Sequence, residues 1–308
     1  MKRYTFAEEL RAGKCRRLVA ALDKTTDRAV FIAAYNNDVI LEGYKEIEIL
    51  MASPGRHLPA ARVKSYDAQK RENARVSLIE TGNAYPDLET FWIPPYPIRK
   101  RQNVKSLFYQ LSTGLRAAHS KGIFLRDLCP EKIRVSENPF RVKLSDFIGA
   151  KMLHPMARNL DLVTPPGALE RNLSYQAPEQ LIGSEMYTSA VDIVEMTTGV
   201  VLFSADSTSH PHTHLQSIFG LLGTPTVNPY PPDVHDQWAA QKTCEPTLDL
   251  YDLLLPVLGQ RGSRLLMRLL CIDPAKRITA EGALKHKYFN GFLWIFNLIE
   301  VEYDYCHF

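Results

Sequence analysis

Apolar residues in the first eighty positions occur in short runs separated by polar turns. Residues 18–22 and 29–35 are mostly apolar, and residues 23–28 between them are polar. Runs of this length bounded by turn residues are typical of β-strands, so the two runs predict a hairpin. Residues 75–80 predict a further strand, and the Gly- and Pro-containing segment 81–86 after it predicts a connector.

Helical spacing of apolar residues begins at 39–51 and becomes the dominant pattern after residue 104. In residues 104–119 one helix face carries Leu107, Phe108, Leu111, Leu115 and Ala118. The most apolar stretch, 289–299, is shorter than the roughly 20 residues of a membrane span, and we expect a C-terminal helix there. The pattern predicts a small strand-rich part, a short connector and a larger helical part.

Composition excludes several classes of protein. The chain has 308 residues, of which 45% are hydrophobic and 23% charged, as in ordinary globular proteins. A formal net charge of +3 does not call for a nucleic acid or an anionic membrane as partner. The five cysteines are scattered without a Cys-x-x-Cys pair, and no apolar run of signal-peptide length follows the N-terminus. We therefore expect an intracellular protein, in the cytoplasm, the nucleus or both.

Six motifs occur in a fixed order. Residues 119–133 contain Leu-Arg-Asp at 125–127, and Asp-Phe-Ile-Gly begins fourteen residues after Lys132. The other four segments are 175–179 (Tyr-Gln-Ala-Pro-Glu), 187–193, 218–226 and 270–278. Together they resemble the catalytic loop, the metal-binding motif and the later helical segments of the eukaryotic protein kinase domain, within its cyclin-dependent kinase branch.

The resemblance runs from about residue 4 to about residue 290 and implies an α+β fold, the bilobal protein kinase fold. We expect one kinase-like domain over residues 1–308. Its small β-rich N-lobe would end at about residue 80, its hinge would cover about 80–84, and its larger helical C-lobe would cover about 85–308.

Site residues follow from the resemblance. Asp127 stands at the position of the catalytic base, Arg126 precedes it in the same loop, and Asp146 stands at the position of a metal ligand. The matching nucleotide-binding positions are Leu10, Gly13, Arg16, Leu18, Glu46, Glu80 and Gly82. ATP and Mg²⁺ are the implied cofactors of an active enzyme, whereas an inactive chain needs neither.

Departures from the family pattern remove charged groups that phosphoryl transfer needs. Ala33 replaces the phosphate-pairing lysine, which leaves Glu46 without its partner, and Cys129 replaces a lysine of the catalytic loop. Lys132 replaces a metal-binding asparagine, and Arg134 replaces an apolar residue beneath the adenine. Each lost electrostatic element is worth about 3–4 kcal/mol in the barrier, though such losses do not simply add. The sequence predicts strongly weakened or lost phosphoryl transfer.

Other positions retain the architecture. Glu179 and Arg277 match a buried ion pair that tethers the activation segment, and Asp192 matches a carboxylate that anchors the catalytic loop. The helix containing Asp192 passes into the next segment about seven residues earlier than in the family. Leu125 and Phe147 keep apolar residues in the core, although Leu125 replaces a histidine.

Several positions leave two interpretations open. Asp127 and Asp146 are either functional or relics that hold loops. The histidines at 210, 212 and 214 indicate a solvated loop more than a metal site, and the cations at 99–101 and 105 a solvated helix start more than an acidic-partner surface. Thr164 is either an ordinary loop residue or a phosphorylation site whose phosphate Arg126 would pair.

Three functional hypotheses follow. The first is a kinase-fold regulator in cell-cycle or transcription control that binds a cyclin-like or other protein partner, with phosphoryl transfer weakened or lost. The second is an active divergent Ser/Thr protein kinase that uses Asp127 and Asp146, with Arg16 replacing the missing lysine and a protein as substrate. The third is a non-catalytic scaffold. None of them calls for a membrane or direct nucleic-acid binding.

Overall fold

A computed structural model describes residues 4–12, 16–25, 27–35, 49, 60–66, 76–81, 87–89, 101–137, 140–147, 149–152, 173–184, 188–198, 210–230, 232–239, 241, 243–246 and 249–292. The chain forms two compact units. The first combines Met1–Ile98 with Gly114–Asn172, and the second combines Arg99–Thr113 with Leu173–Phe308. The lobe and hinge boundaries expected near residues 80–84 stay predictions.

The first unit contains a five-stranded antiparallel sheet in the order β1-β2-β3-β5-β4. Its strands are β1 Tyr4–Ala12, β2 Arg16–Asp23, β3 Arg28–Tyr35, β4 Ala60–Tyr66 and β5 Val76–Thr81. The predicted hairpin is confirmed, because β2 pairs with β3 from Arg16 opposite Tyr35 to Asp23 opposite Arg28. The strand predicted over 75–80 is confirmed as β5. Of the helix predicted over 39–51, only Ile49, which is helical, lies within the described residues.

Local hydrogen bonds explain why the polar segment after β2 turns. One carboxylate oxygen of Asp23 accepts from the Thr25 amide at 3.0 Å and from the Thr25 hydroxyl at 2.5 Å. Such bonds to nearby backbone give the chain an alternative to strand pairing. Asp27 then adopts a positive φ of 49°, a region that Asp tolerates better than most residues. Hydrogen bonds between residues of the segment itself therefore stabilise the turn of the hairpin.

The rest of the first unit consists of the C-terminal end of a long helix, from Gly114 onward, and two short sheets. Helix α1 (Arg101–His119) is followed by β6 Ile123–Phe124, a 3₁₀ turn Pro130–Lys132, β7 Ile133–Glu137, β8 Phe140–Leu144 and β9 Lys151–Met152. The predicted apolar face of α1 is confirmed, since all five of its residues are buried. Gly122, with φ of 70°, reverses the chain after α1 so that β6 can begin.

Strands β7 and β8 form an antiparallel hairpin with two different faces. Ile133 lies opposite Leu144, and Val135 lies opposite Val142. All four side chains are at most 1% exposed, so one face of the hairpin belongs to the core. Because side chains alternate along a strand, Arg134 and its cross-strand partner Lys143 share the other face. This alternation places the cationic residues Arg134 and Lys143 on the face of the hairpin opposite the core.

The second unit is mainly helical in its described part. Its helices are α2 Pro178–Leu181, α3 Ala190–Thr198, α4 Pro211–Leu222, α5 His235–Ala239, α6 Leu250–Leu269 and α7 Ala280–Leu284. Short 3₁₀ turns cover Leu173–Tyr175, Pro232–Val234 and Lys287–Phe289. Gly259 kinks α6 because its φ of 70° and ψ of 168° are not helical. Ala177, Val191 and Val194 form a buried apolar cluster.

One local expectation changes in the structure, and a second falls mostly outside the described residues. The histidine segment is not a solvated loop: His210 caps α4 through its Nδ1, which accepts from the His212 amide at 3.4 Å, and His214 is 2% exposed. The alternating polar residues gave no indication of the helix, which begins at Pro211, and proline is a favoured first residue of helices. Of residues 289–299, where a helix is expected, the structure describes only 289–292, and Phe289 ends a 3₁₀ turn, so the helix stays a prediction. Within the described segments, no helix is both long and apolar enough to cross a membrane.

Candidate functional site

The candidate site lies where the β7–β8 hairpin brings two loop segments together. Asp127 follows β6, and Asp146 follows β8 by two positions. Between them the backbone carbonyl of Lys132 accepts from the Ser145 amide at 2.7 Å and from the Ser145 hydroxyl at 2.9 Å. These two hydrogen bonds hold the segment before β7 against the segment after β8. The hairpin register therefore places Lys132 next to the residue that precedes Asp146.

Lys132 forms an ion pair with Asp127. The lysine Nζ lies 2.5 Å from Asp127 Oδ2, and the two side chains are only 9% and 16% exposed. Burial by itself lowers the pKa of Lys132, but the carboxylates of Asp146 and Asp127 outweigh it and hold that pKa above the ordinary lysine value. The group that the resemblance places at a metal-binding position is therefore a charged ammonium.

Two residues of the site have strained backbones. Arg126 and Asp146 have φ values of 63° and 61°, which L-residues adopt infrequently. Arg126 is buried, and its Nε donates to the Gly149 carbonyl at 3.1 Å. Such strain persists where surrounding contacts require it. Arg126 thus ties the loop before Asp127 to the segment after Phe147, and the expected pairing with phosphorylated Thr164 lies outside the described residues.

Cys129 replaces a cation with a neutral group. Its side chain is 8% exposed. Burial is the largest cause that raises the pKa of its thiol far above the ordinary value, and it outweighs the nearby Lys132 ammonium. A thiol held neutral supplies no positive charge to a phosphate.

Arg134 pairs with a carboxylate that the sequence analysis did not single out. Its Nη1 lies 3.7 Å from Asp87 Oδ2, the side chains are 13% and 25% exposed, and the two residues also form an isolated antiparallel bridge. The structure keeps Arg134 largely buried beside Asp87. No local pattern could have found this pair, because the partners are distant in sequence.

The predicted nucleotide-binding residues are only partly described. Leu10 lies on β1, Arg16 and Leu18 on β2, and Glu80 on β5. Register places Leu18 opposite Ala33 on β3, and Ala33 opposite Leu78 on β5. Alanine offers a methyl group at this central position, so the amine that the family uses is absent there. Gly13, Glu46 and Gly82 lie outside the described residues.

The residues of this site do not fit a pair of Mg²⁺ ions. Mg²⁺ requires oxygen ligands in near-octahedral geometry, whereas a lysine ammonium has three donors and no acceptor. Lys132, which the resemblance places at a ligand position, offers no oxygen from its side chain, and its ammonium lies 2.5 Å from the Asp127 carboxylate. Across the described segments, no group of three or more His, Cys, Asp or Glu residues could hold a metal ion.

The predicted buried pair of the second unit is confirmed. Arg277 Nη1 and Nη2 lie 2.5 Å and 3.0 Å from the two carboxylate oxygens of Glu179. The same guanidinium donates to the carbonyls of Ala190, Cys271 and Ile272 at 2.8, 2.7 and 3.1 Å. Leu125, Phe147 and Asp192 are also buried, as expected of architectural positions. The anchoring of the catalytic loop by Asp192 stays a prediction.

Comparisons with known proteins identify the family of the chain. The family model described as "Protein kinase domain" matches residues 12–289. A cell division control protein 2 homolog C of Antirrhinum majus is 28% identical over 318 aligned positions, which cover 94% of this chain and 98% of that protein. Cyclin-dependent kinase B2-1 of Arabidopsis thaliana is 31% identical over 198 positions, which cover 61% of this chain and 59% of the relative.

A third relative, cell division control protein 2 homolog D of Antirrhinum majus, is 33% identical over 203 positions, which cover 61% of this chain and 59% of that protein. The expected α+β bilobal kinase fold, with a small β-rich lobe and a larger helical lobe, is confirmed by the family match. The chain belongs to the protein kinase family, in its cyclin-dependent kinase-like branch.

Proposed function

We propose that this chain is a serine/threonine kinase family regulator of cell-cycle or transcription control, in which phosphoryl transfer is strongly weakened or lost. The observation that carries the proposal is the ion pair between Lys132 and Asp127, 2.5 Å long and largely buried. The family match and the kinase names of its relatives support the fold and branch. Its place in the cell, in the cytoplasm or the nucleus, is part of the proposal.

The ion pair opposes the role of Asp127 as a base. A base at this position must accept a hydrogen bond from the substrate hydroxyl and then its proton. The Lys132 ammonium already occupies Asp127 Oδ2, one of the two oxygens that could accept this hydrogen bond. The substrate hydroxyl would also compete with a charge-assisted hydrogen bond, which is stronger than a neutral one. Asp127 is therefore poorly prepared for catalysis.

The remaining departures act on the nucleotide. Ala33 on β3 and Cys129 after Asp127 supply no cation for the phosphates. Arg134, held beside Asp87, places a guanidinium where the family has an apolar side chain beneath adenine. Each such loss costs about 3–4 kcal/mol of transition-state stabilisation when it occurs alone. Their combination supports a protein that acts by binding rather than by transferring phosphate.

The partner in this proposal is a protein, cyclin-like or of another regulatory class. Support comes from the relatives, one of which is named a cyclin-dependent kinase. Affinity purification of the tagged chain, followed by direct binding of each recovered candidate, would identify the partner. Recovery of a cyclin would favour the regulator over a bare scaffold.

Phosphoryl transfer is tested with the purified chain, its recovered partner, Mg²⁺-ATP and a general protein substrate. We expect no transfer above the level of Asp127→Asn and no stabilisation of the chain by Mg²⁺-ATP. Transfer that Asp127→Asn abolishes would overturn the loss of activity. A thermal shift that Asp146→Asn abolishes would overturn only the expected absence of Mg²⁺-ATP binding.

The alternative is an active divergent kinase. Its support is that Asp127 pairs with Lys132, while Ser145, the residue before Asp146, donates to the Lys132 carbonyl, so both aspartates lie in segments that adjoin Lys132. Arg16, the first residue of β2, would supply the missing cation. If this alternative holds, Arg16→Ala removes measurable phosphorylation, and an unchanged rate refutes it.

A further inference from the structure

Lys132 has the surroundings of a bound cation. Its Nζ lies 2.5 Å from Asp127 Oδ2, and among nearby charges the Asp146 carboxylate acts on it most strongly. The Lys132 side chain is 9% exposed, so little water competes with these carboxylates. Two acidic side chains therefore share one internal positive charge.

The backbone, and not only a flexible side chain, determines this position. Lys132 ends the 3₁₀ turn Pro130–Lys132, in which its amide donates to the Cys129 carbonyl at 2.9 Å. Its own carbonyl accepts both hydrogen bonds from Ser145, the residue before Asp146. The β7–β8 hairpin therefore holds the Lys132 backbone beside the segment that carries Asp146, and from there its side chain reaches Asp127.

An ammonium at this point is incompatible with a divalent ion between the same carboxylates. It can donate hydrogen bonds but cannot ligate a metal, and it repels one electrostatically. A metal ion would also have to displace Lys132 from Asp127. We propose that Lys132 is the resident cation of the Asp127–Asp146 pair and that it excludes divalent metal ions from this pair in the native chain.

The inference deepens the proposed function, on whose site it rests, but it is measured without nucleotide, substrate or partner. It predicts that Asp127 and Asp146 come together without a metal ion. It also predicts that a divalent ion can bind to them once the Lys132 ammonium is removed. Lys132→Asn removes the ammonium and supplies an amide oxygen, a type of ligand that hard divalent ions accept. Lys132→Met removes the charge without supplying an oxygen.

The experiment titrates the full chain with Mn²⁺ and follows the free ion by electron paramagnetic resonance. Thermal unfolding with Mg²⁺ or with a chelator is measured in parallel. The native chain should bind no Mn²⁺ that depends on Asp146, and chelator should leave its unfolding temperature unchanged. Lys132→Asn should gain about tenfold or more in Mn²⁺ affinity, and Asp146→Asn should remove that gain. Lys132→Met should gain less.

The matched control is Lys285→Asn. Lys285 also lies 2.5 Å from a carboxylate, that of Glu281, but the side chains are 74% and 60% exposed. This variant should bind Mn²⁺ as the native chain does. Native Mn²⁺ binding that Asp146→Asn abolishes would overturn the inference, even if Lys132→Asn failed to fold. A folded Lys132→Asn that gains no affinity would overturn it as well. Phosphoryl transfer is assayed separately, so either proposal can fail alone.

Discussion

Arg277 holds both carboxylate oxygens of Glu179, at 2.5 Å and 3.0 Å, although the two residues are far apart in the sequence. The side chains of this pair are 0% and 2% exposed. Three backbone carbonyls take further hydrogen bonds from the same guanidinium. One buried arginine thus joins the start of α2, the start of α3 and the segment after α6 within the second unit.

Glu179→Gln should destabilise the chain strongly. The substitution preserves shape but leaves the buried Arg277 charge without its counter-ion, which costs about 3–5 kcal/mol. Urea unfolding measures the difference. Glu281→Gln is the matched control, because Glu281 also lies 2.5 Å from a lysine but is exposed. The control should change stability by no more than about 1 kcal/mol. Equal losses of stability in the two variants would show that burial does not determine how much the Glu179–Arg277 pair contributes to the free energy of unfolding.

Two helical glycines should respond oppositely to alanine. A Cβ at Gly220 in α4 would meet nothing within 4 Å, so Gly220→Ala should stabilise the chain by about 0.5–1 kcal/mol. A Cβ at Gly262 in α6 would lie 2.7 Å from Leu258 Cβ and 2.9 Å from the Tyr288 ring. Gly262→Ala should therefore cost about 1–3 kcal/mol. Thermal unfolding of both variants tests this, and stabilisation by Gly262→Ala would contradict the close packing.

Acid should weaken the fold partly through His214. Burial lowers the pKa of this histidine below its ordinary value, so at mildly acidic pH the unfolded chain binds a proton that the folded chain does not. This contribution to the free energy of unfolding should decline as pH falls below about 6.5 and continue to decline until the folded-state pKa is reached.

Urea unfolding across this pH range, with native chain and His214→Gln, isolates the effect. His214→Gln should show a shallower loss of stability on acidification than the native chain. His286, whose pKa is lowered by burial and by Arg268 and Lys287, should retain its own contribution in both proteins. His212→Gln serves as the exposed control. Identical slopes for the native chain and His214→Gln would disprove the assignment.

Cys129 should resist alkylation in the folded chain. Burial restricts access to its sulfur and raises the pKa of its thiol, so little reactive thiolate forms. Cys244 and Cys271 are less buried and should react faster. Peptide mapping after timed iodoacetamide treatment should rank Cys129 slowest of these three, and urea should remove the difference. Rapid modification of Cys129 in native buffer would contradict its buried, neutral state.

Local pattern was sufficient for several elements because they depend on neighbours in the chain. The β2–β3 hairpin follows from apolar runs and a turn closed by Asp23, and the α1 face follows from the spacing of Leu107 to Ala118. The prediction of a solvated loop for the histidine segment was wrong for the same reason. Its alternating polar residues gave no helical signal, and His214 is buried by packing that spacing does not encode.

The order of the kinase motifs, the replacement of cations by Ala33 and Cys129, and the presence of Lys132 and Arg134 were all determined by the sequence alone. Only the tertiary structure decided what those two cations bind. The β7–β8 register delivers Lys132 to Asp127 and Asp146, and a chain-distant contact gives Arg134 the carboxylate of Asp87. The strength of the interaction between two charges depends on their separation and their burial, and both are set only when separate segments of the chain meet.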